Sequence, residues 1–271
     1  MARLSDSLSD AERADLIGTA HALADAARFA TLTHFRADGL EADSKLAQGF
    51  DPVTVADRAA ERAMRDILAA RRPADAILGE EYGPQAGSSG LTWVLDPIDG
   101  TRAYLSGLPT WGVLIALTDA EGPVFGLIDQ PYVGERFAGG FGRCEMTGPL
   151  GLRALRARAA RPLAEAIILS TFPEVGTPAE GAAFHRLSRQ ARLTRYGTDC
   201  YGYAMIAAGQ VDLVVEAGLQ AYDVAAPIAV IEAAGGIVTN WQGGPAQDGG
   251  QVLAAANHEI HAQALAVLAA G

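Results

Sequence analysis

The sequence is poor in cysteine, and its two cysteines, Cys144 and Cys200, are too few for a disulfide framework or a Cys-x-x-Cys metal site. This usage fits a reducing compartment, and we expect a cytoplasmic protein. No apolar run approaches the roughly 20 residues of a membrane span. Residues 1–15 also lack the basic start and the apolar core of a signal peptide. The sequence therefore predicts a protein without a membrane partner.

Positive charge is also scarce, because 32 acidic residues outnumber 21 basic ones and give a formal net charge of −11. This charge disfavours nucleic acid or an anionic membrane surface as the main partner. Hydrophobic residues make up 49% of the chain and charged residues 20%, which is typical of a folded protein and not of a disordered one. A chain of 271 residues predicts one large domain or two fused halves with a substantial core.

The most informative segment covers residues 93–101. An apolar run, Leu91 to Leu95, leads into Asp96 and Asp99, and Pro97 between them predicts that the strand stops there. Two buried carboxylates so close together repel each other unless a cation lies between them. Ligands that are all oxygen favour Mg²⁺ or Mn²⁺ over Zn²⁺. The alternative is that one of the two aspartates only caps the following helix.

The segment Asp96 to Thr101 resembles the signature of the inositol monophosphatase family of Mg²⁺-dependent, lithium-sensitive phosphatases. Three further segments follow the family's order and spacing: Thr54 to Asp57, Gly79 to Glu81, and Tyr222 to Ala226. The resemblance runs from about residue 45 to the C-terminus. It implies an α/β fold, the layered αβαβα sandwich of the inositol monophosphatase and fructose-1,6-bisphosphatase type. We expect a single phosphatase domain with halves at about 1–150 and about 151–271, and the family is commonly a homodimer.

The resemblance also implies a metal site of two or three Mg²⁺ ions, with Mn²⁺ as an alternative. Its expected ligands are four carboxylates and one backbone carbonyl, from Glu80, Asp96, Asp99, Asp223 and Ile98. We expect Gly79 to turn the backbone sharply so that Glu80 is aimed at the metals. Taken alone, Glu80 also fits a surface acid and Asp223 a helix N-cap. The metals would resolve a problem of charge, since four bare carboxylates repel a phosphate substrate.

Water activation is assigned by the resemblance to Thr101 together with Asp57, next to the ion held by Glu80. We expect the backbone N–H groups of Gly100 and Thr101 to bind phosphate at a helix N-terminus. A hydroxyl at the start of a helix is the alternative role for Thr101. Lys45 lies one residue out of register with a lysine common in the family and is left unassigned.

Two further acids, Asp199 and Glu216, are predicted to contact the rest of the substrate. A cationic leaving group would suit them, and L-histidinol phosphate carries both an ammonium and an imidazole. The segments 101–104, 128–131 and 199–201 resemble the histidinol-phosphatase branch of the family. The predicted reaction is therefore hydrolysis of L-histidinol phosphate to L-histidinol and phosphate, a step of histidine biosynthesis.

Three alternatives stay open. The first is an inositol-1-phosphatase or a broad sugar-phosphate phosphatase. The second is a 3′-phosphoadenosine phosphatase, which is disfavoured because no basic pocket for a second phosphate is visible. The third is a non-catalytic metal or phosphate binder, which is disfavoured because such a protein could lose Asp57 and Thr101, and both are present.

Periodicity and end signals predict the elements of the two halves. Expected helices are residues 10–36, 55–70, 179–190, 203–208 and 224–234, and a closing helix capped by Asn257. Expected strands are residues 76–78, 91–95, 112–117, 124–128, 136–138, 166–170, 193–196, 213–216 and 252–255. Loops are expected at residues 37–53 and 84–90, and the arginines of residues 153–161 are expected to form a solvated face between the halves. Three features are not expected to be functional: the His258/His261 pair, the glycines of residues 139–142, and Cys200.

Overall fold

The computed structural model describes residues 3–38, 42–44 and 52–270. Over these residues, none of the helices is both long enough and apolar enough to cross a membrane. The α-helices are α1 Asp10–His34, α2 Val55–Arg71, α3 Thr101–Leu105, α4 Pro178–Ser188, α5 Asp199–Ala207, α6 Ala221–Ala233 and α7 His258–Ala269. Short 3-10 helices cover Leu4–Ser7 and Leu163–Glu165.

The strands of the same residues form two large sheets and one small pair. In chain order they are β1 Ala42–Ser44, β2 Pro52–Thr54, β3 Ala76–Gly79, β4 Gly83–Gln85, β5 Thr92–Asp99, β6 Gly112–Asp119, β7 Gly122–Gln130, β8 Glu135–Gly140, β9 Arg143–Gly148, β10 Gly151–Ala154, β11 Ile167–Ser170, β12 Leu193–Tyr196, β13 Leu213–Leu219, β14 Ile237–Thr239 and β15 Gly250–Ala255.

The larger sheet has eight strands in the order β10-β9-β8-β7-β6-β5-β3-β4. Its pairs are antiparallel except for β3 and β5, which run parallel, so that both strands end at the same edge. The smaller sheet has the order β12-β11-β13-β15-β14. There β11 runs parallel to β12 and β13, whereas β15 is antiparallel to both of its neighbours.

The helices and sheets stack in five layers. Helices α1 and α2 pack on the outer face of the larger sheet, where Leu23, Met64 and Trp93 belong to one apolar cluster. Helices α5 and α6 lie between the two sheets in a second cluster, and α4 and α7 cover the far face of the smaller sheet in a third. This confirms the predicted αβαβα sandwich. Helix α6 is enclosed by this packing, and its residues from Val224 to Ile231 are all buried.

Helix starts follow the local end signals in the sequence. Ser9 and Glu12 form the predicted capping box of α1, and Asn257 accepts from the amide of Ile260 at the start of α7. The helix predicted at 55–70 is α2, which begins with a capping box between Thr54 and Asp57. These starts were predictable because each depends on residues within one turn of the helix.

The prediction that the strand stops before Pro97 is wrong. Strand β5 continues to Asp99, but its pairing with β6 shifts register between Asp96 and Asp99. Proline lacks an N–H for the ladder, and an irregularity at that point removes the need for one. The strand therefore bends without ending, and both aspartates remain on it.

Other differences concern short elements. Strands β1 and β2 lie inside the predicted loop 37–53, of which residues 39–41 and 45–51, with Lys45, fall outside the described residues. Strand β4 occupies part of the predicted loop 84–90, the hairpin of β9 and β10 extends the larger sheet as far as Ala154, and β14 was not predicted. Helix α5 begins at Asp199, four residues before the predicted start.

The predicted solvated face is wrong for Arg158 and Arg161, which both pair with the buried Asp212 at 2.9 and 3.3 Å.

Candidate metal centre and substrate cavity

The irregular end of β5 fixes the first two acids of the site. Oδ1 of Asp96 accepts a hydrogen bond of 3.0 Å from the amide of Ile98, which holds the carboxylate against the bend in its own strand. The Thr101 hydroxyl donates to the carbonyl oxygen of Ile98 at 3.2 Å. Asp99 stands at the end of the strand, and its Oδ2 accepts from the amide of Cys200 at 2.6 Å. One short segment thus fixes two carboxylates and the Ile98 carbonyl by hydrogen bonds.

The third acid comes from the second half of the chain. Asp223 is the third residue of α6, and its Oδ2 accepts from the amide of Gln220, the N-cap, at 2.6 Å. The alternative that Asp223 is itself the N-cap is therefore wrong. Ligand oxygens of Asp96, Asp99 and Asp223 all lie within 4.8 Å of one another. Three of the four predicted ligand carboxylates therefore converge on one point between the halves.

Crowding and burial raise the pKa values of this acidic cluster, which we define as Asp96, Asp99 and Asp223. Burial is the largest cause for each, because a carboxylate loses hydration in the interior. The charge of Glu80 adds to it for Asp96 and Asp223, and the pKa of Asp223 rises to about 7. Oxygen ligands that repel one another at this distance are the donor set that a hard divalent cation stabilises. The residues fit Mg²⁺ or Mn²⁺.

Glu80 follows β3 and lies beside the acidic cluster. Its amide donates to the carbonyl of Leu95 at 3.1 Å, which ties it to the neighbouring β5. The predicted role of Gly79 as a sharp turn is wrong, because Gly79 does not have a positive φ. It is needed for close packing instead, since a Cβ there would lie 2.0 Å from Oε1 of the buried Glu61.

Glu61 is a supporting residue that the sequence did not reveal. Its carboxylate accepts from the amides of Glu81 and Tyr82 at 2.7 and 3.2 Å and pairs with Arg65 at 2.8 Å. These bonds hold the turn that begins at Glu80. An acid four residues before an arginine on a helix resembles an exposed ion pair, so nothing local signals its burial.

Asp57, the predicted partner of Thr101, is buried near Glu80. Its Oδ2 accepts from the amide and the hydroxyl of Thr54 at 2.8 and 2.5 Å, whereas its buried Oδ1 has no hydrogen-bond partner. Burial raises the pKa of Asp57 to about 6, and the charge of Glu80 also raises it. Asp57 therefore has a structural bond on one oxygen and an available acceptor on the other. Its pairing with Thr101 stays a prediction.

A cavity of about 300 Å³ opens beside the acidic cluster. It is lined by residues of both halves: Asp99, Gly100, Thr101, Arg102, Ser170, Thr171, Phe172, Val175, Gly176, Asp199, Cys200, Tyr203, Glu216, Ala217, Gly218, Leu219 and Asp223. Both predicted substrate acids, Asp199 and Glu216, line it. The guanidinium of Arg102 lies 4.8 Å from the ring of Phe172 across the cavity wall.

Asp199 packs directly over the residue that follows Asp99. A Cβ at Gly100 would lie 2.7 Å from the Asp199 carboxyl carbon, and Gly100 has φ +83°, so glycine is required there on both counts. The hydroxyl of Thr110 donates to Oδ2 of Asp199 at 3.2 Å. Burial, followed by the charge of Glu216, raises the pKa of Asp199 to about 6. Asp199 and Glu216 therefore interact electrostatically within one cavity.

The features not expected to be functional have structural roles. His261 is buried, and its Nε2 lies 2.7 Å from the hydroxyl of Thr239. Phe141 and Gly142 form the turn between β8 and β9. Cys200 is fully buried, and burial raises the pKa of its thiol well above the usual value, which disfavours the nucleophilic thiolate.

Comparison with known proteins agrees with this geometry. The model of the inositol monophosphatase family matches residues 12–270. The chain is 38% identical over 264 residues to the histidinol-phosphatase of Streptomyces coelicolor, across 94% of this chain and 97% of that protein. It is 38% identical over 271 residues to the bifunctional phosphatase IMPL2 of Arabidopsis thaliana, across 95% and 76%. A solved inositol monophosphatase from Zymomonas mobilis is 39% identical, with a TM-score of 0.83 over 96% of this chain and 99% of that one.

Proposed function

The chain belongs to the inositol monophosphatase family and is a phosphatase of phosphate monoesters, and from this premise we propose that its substrate is L-histidinol phosphate. The products are L-histidinol and phosphate, and the reaction belongs to histidine biosynthesis. The observation that carries the proposal is the pair of acids, Asp199 and Glu216, in the cavity beside the acidic cluster. Similarity to the Streptomyces coelicolor histidinol-phosphatase supports it.

Two acids outside the metal ligands suit a leaving group that carries positive charge. The ammonium of histidinol pairs with one carboxylate, and the imidazole, when protonated, pairs with the other. A polyol such as inositol offers only neutral hydroxyls, so it would leave two negative charges facing each other in the cavity. Since the charge of Glu216 raises the pKa of Asp199, that repulsion is already present without substrate. A cationic ligand relieves it.

The proposed metal ligands are the carboxylates of the acidic cluster, Glu80 and the carbonyl of Ile98. Enzymes of this family are metal-dependent, and the donor set present here fits Mg²⁺ or Mn²⁺. Bound there, the metal supplies positive charge to the phosphate oxygens and lowers the pKa of water.

This chain's own residues complete the proposed chemistry. Thr101 orients the attacking water, and Asp57 accepts its proton at the free Oδ1. The N–H groups of Gly100 and Thr101 bind the phosphate oxygens. Asp199 and Glu216 hold the leaving group so that the phosphate lies toward Thr101.

A phosphate-release assay with Mg²⁺ tests the proposal. The panel compares L-histidinol phosphate, inositol-1-phosphate and 3′-phosphoadenosine 5′-phosphate at equal concentration. We expect the highest kcat/KM for histidinol phosphate and no release after chelation of the metal. A higher kcat/KM for either of the other esters contradicts the substrate assignment and leaves the phosphatase activity in place.

The second candidate substrate is inositol-1-phosphate or a broad range of sugar phosphates. It is favoured by the similarity to the Zymomonas mobilis inositol monophosphatase, whose identity of 39% is close to that of the histidinol-phosphatase. Overall identity thus does not separate the two candidates, and the cavity acids are the argument for histidinol phosphate.

We also propose that the protein is a homodimer. A measurement of its molecular mass in solution tests this proposal.

A further inference from the structure

We propose that Tyr203 is a positioning residue that holds the Glu216 carboxylate in the orientation that receives the cationic part of the substrate. The inference rests on the proposed role of Glu216 in binding the leaving group. It assigns specificity to a side chain whose hydroxyl donates to Glu216.

Two donors hold Glu216, one at each oxygen of its carboxylate. The phenol of Tyr203 on α5 donates to Oε2 at 2.7 Å, and the amide of Thr171, just after β11, donates to Oε1 at 2.8 Å. Tyr203 and Glu216 are both buried, and all three residues line the cavity. Three different elements therefore meet at one carboxylate.

The backbone around Glu216 explains why these donors matter. The pairing of β13 with β15 is regular up to Glu216 and Val252, and its register then shifts before Leu219 and Gly250. A shift of this kind re-aims side chains and loosens the ladder. The regular ladder thus ends at Glu216, and its two hydrogen bonds fix the orientation of the side chain there. Removing the Tyr203 hydroxyl leaves the Thr171 amide as the remaining donor of the pair.

Both donors are neutral, which leaves the negative charge of Glu216 available. A carboxylate offers about four lone-pair sites, and Tyr203 and Thr171 occupy two of them. Burial and the charge of Glu216 raise the pKa of Tyr203 well above its usual value, so the phenol stays protonated and donates. A group that is already fixed loses less entropy when the substrate binds. Tyr203 thereby prepares Glu216 for a cation without neutralising it.

Helix α5 provides a matched control. Tyr201, two residues before Tyr203, donates a 2.6 Å hydrogen bond to Oε2 of Glu135 on β8. This is the same tyrosine–glutamate contact on the same helix, but Tyr201 and Glu135 do not line the cavity. Tyr201→Phe therefore reports the structural effect of losing such a bond.

The test is a double-mutant cycle on the full chain with Mg²⁺. We expect Tyr203→Phe to raise KM for L-histidinol phosphate about tenfold, the low end for a hydrogen bond to a charged group, with a smaller change in kcat. The Tyr201→Phe control should change KM less than twofold, at about the same melting temperature. Because Tyr203 acts through Glu216, adding Tyr203→Phe to Glu216→Gln should cost almost nothing further.

Additive losses in the cycle, or equal losses in the two tyrosine variants, would overturn the inference. The cycle is measured with whichever ester of the substrate panel the wild type hydrolyses best. Preference for another ester then contradicts the proposed substrate, whereas independent effects of Tyr203 and Glu216 contradict the positioning role. The two failures are therefore distinguishable.

Discussion

The amide of Cys200 donates a 2.6 Å hydrogen bond to Oδ2 of Asp99, across 101 residues of sequence. It joins the first turn of α5 to the acidic cluster. The preceding residue, Asp199, has φ +46°, a left-handed conformation that is uncommon outside glycine. Such strain persists where the surroundings fix the backbone. The contact with Asp99 is one such constraint, so the position of Asp199, a proposed substrate contact, depends on the position of Asp99.

Asp96→Asn should abolish phosphatase activity with Mg²⁺, since it removes one charge from the most buried member of the acidic cluster. The amide keeps the size of the side chain and its acceptor for the amide of Ile98, so the fold should persist. Phosphate release and the melting temperature are measured together. Asp66→Asn, at an exposed acid of α2, is the matched control and should retain wild-type activity. Near-normal turnover of Asp96→Asn would contradict the metal site.

Thr101→Ala should lower kcat far more than it raises KM. The orientation of water matters mainly in the transition state, whereas the backbone N–H proposed to bind phosphate is kept. Steady-state kinetics with histidinol phosphate measure the two constants. Thr33→Ala, at an exposed hydroxyl of α1 that bonds to the Phe29 carbonyl, serves as the control. An unchanged kcat would assign water activation to another residue.

Local signals in the sequence were sufficient for most of the fold. Capping boxes, apolar periodicity and the segment 96–101 are signals that span only a few residues, and the helices, strands and converging aspartates that they predict are present. A helix start that is set by contacts with residues far away in the sequence was not predictable. Helix α5 begins at a strained Asp199 because its first turn contacts Asp99 and Gly100, far away in sequence. The β9–β10 hairpin was missed because its apolar alternation is short, with only Cys144 and Met146 in β9, and because all of β10 is exposed.

Glu61→Gln should destabilise the protein and weaken its response to Mg²⁺. The variant leaves the Arg65 guanidinium without its buried partner, which typically costs about 3–5 kcal/mol of unfolding free energy. It also weakens the bonds that hold the turn after Glu80, so half-maximal activity should need more Mg²⁺. Urea unfolding and Mg²⁺ titration are the measurements. Arg58→Gln breaks the exposed pair with Asp43 and should cost about 0–1 kcal/mol.

His261 should make the protein less stable at acidic pH. Burial, followed by the charge of His258, lowers the pKa of His261 in the folded protein. The unfolded chain, with a pKa of about 6.5, then binds more protons, so the unfolding free energy falls as the pH drops below about 6.5. His261→Gln keeps a donor for the Thr239 hydroxyl and cannot titrate, and its curve should fall less steeply. Parallel curves from urea unfolding at several pH values would contradict this.

Asp199→Asn should separate the candidate substrates. If Asp199 holds the cation of histidinol phosphate, the amide loses a charge-assisted hydrogen bond worth roughly 1.5–3 kcal/mol, or about tenfold to a hundredfold in kcat/KM. The ester p-nitrophenyl phosphate carries no cation and should lose much less. Because the amide is as large as the carboxylate and can still accept from Thr110, α5 should keep its start. Equal losses on both esters would mean that Asp199 supports the acidic cluster through Gly100 and Cys200, and the inositol-type assignment would then be favoured.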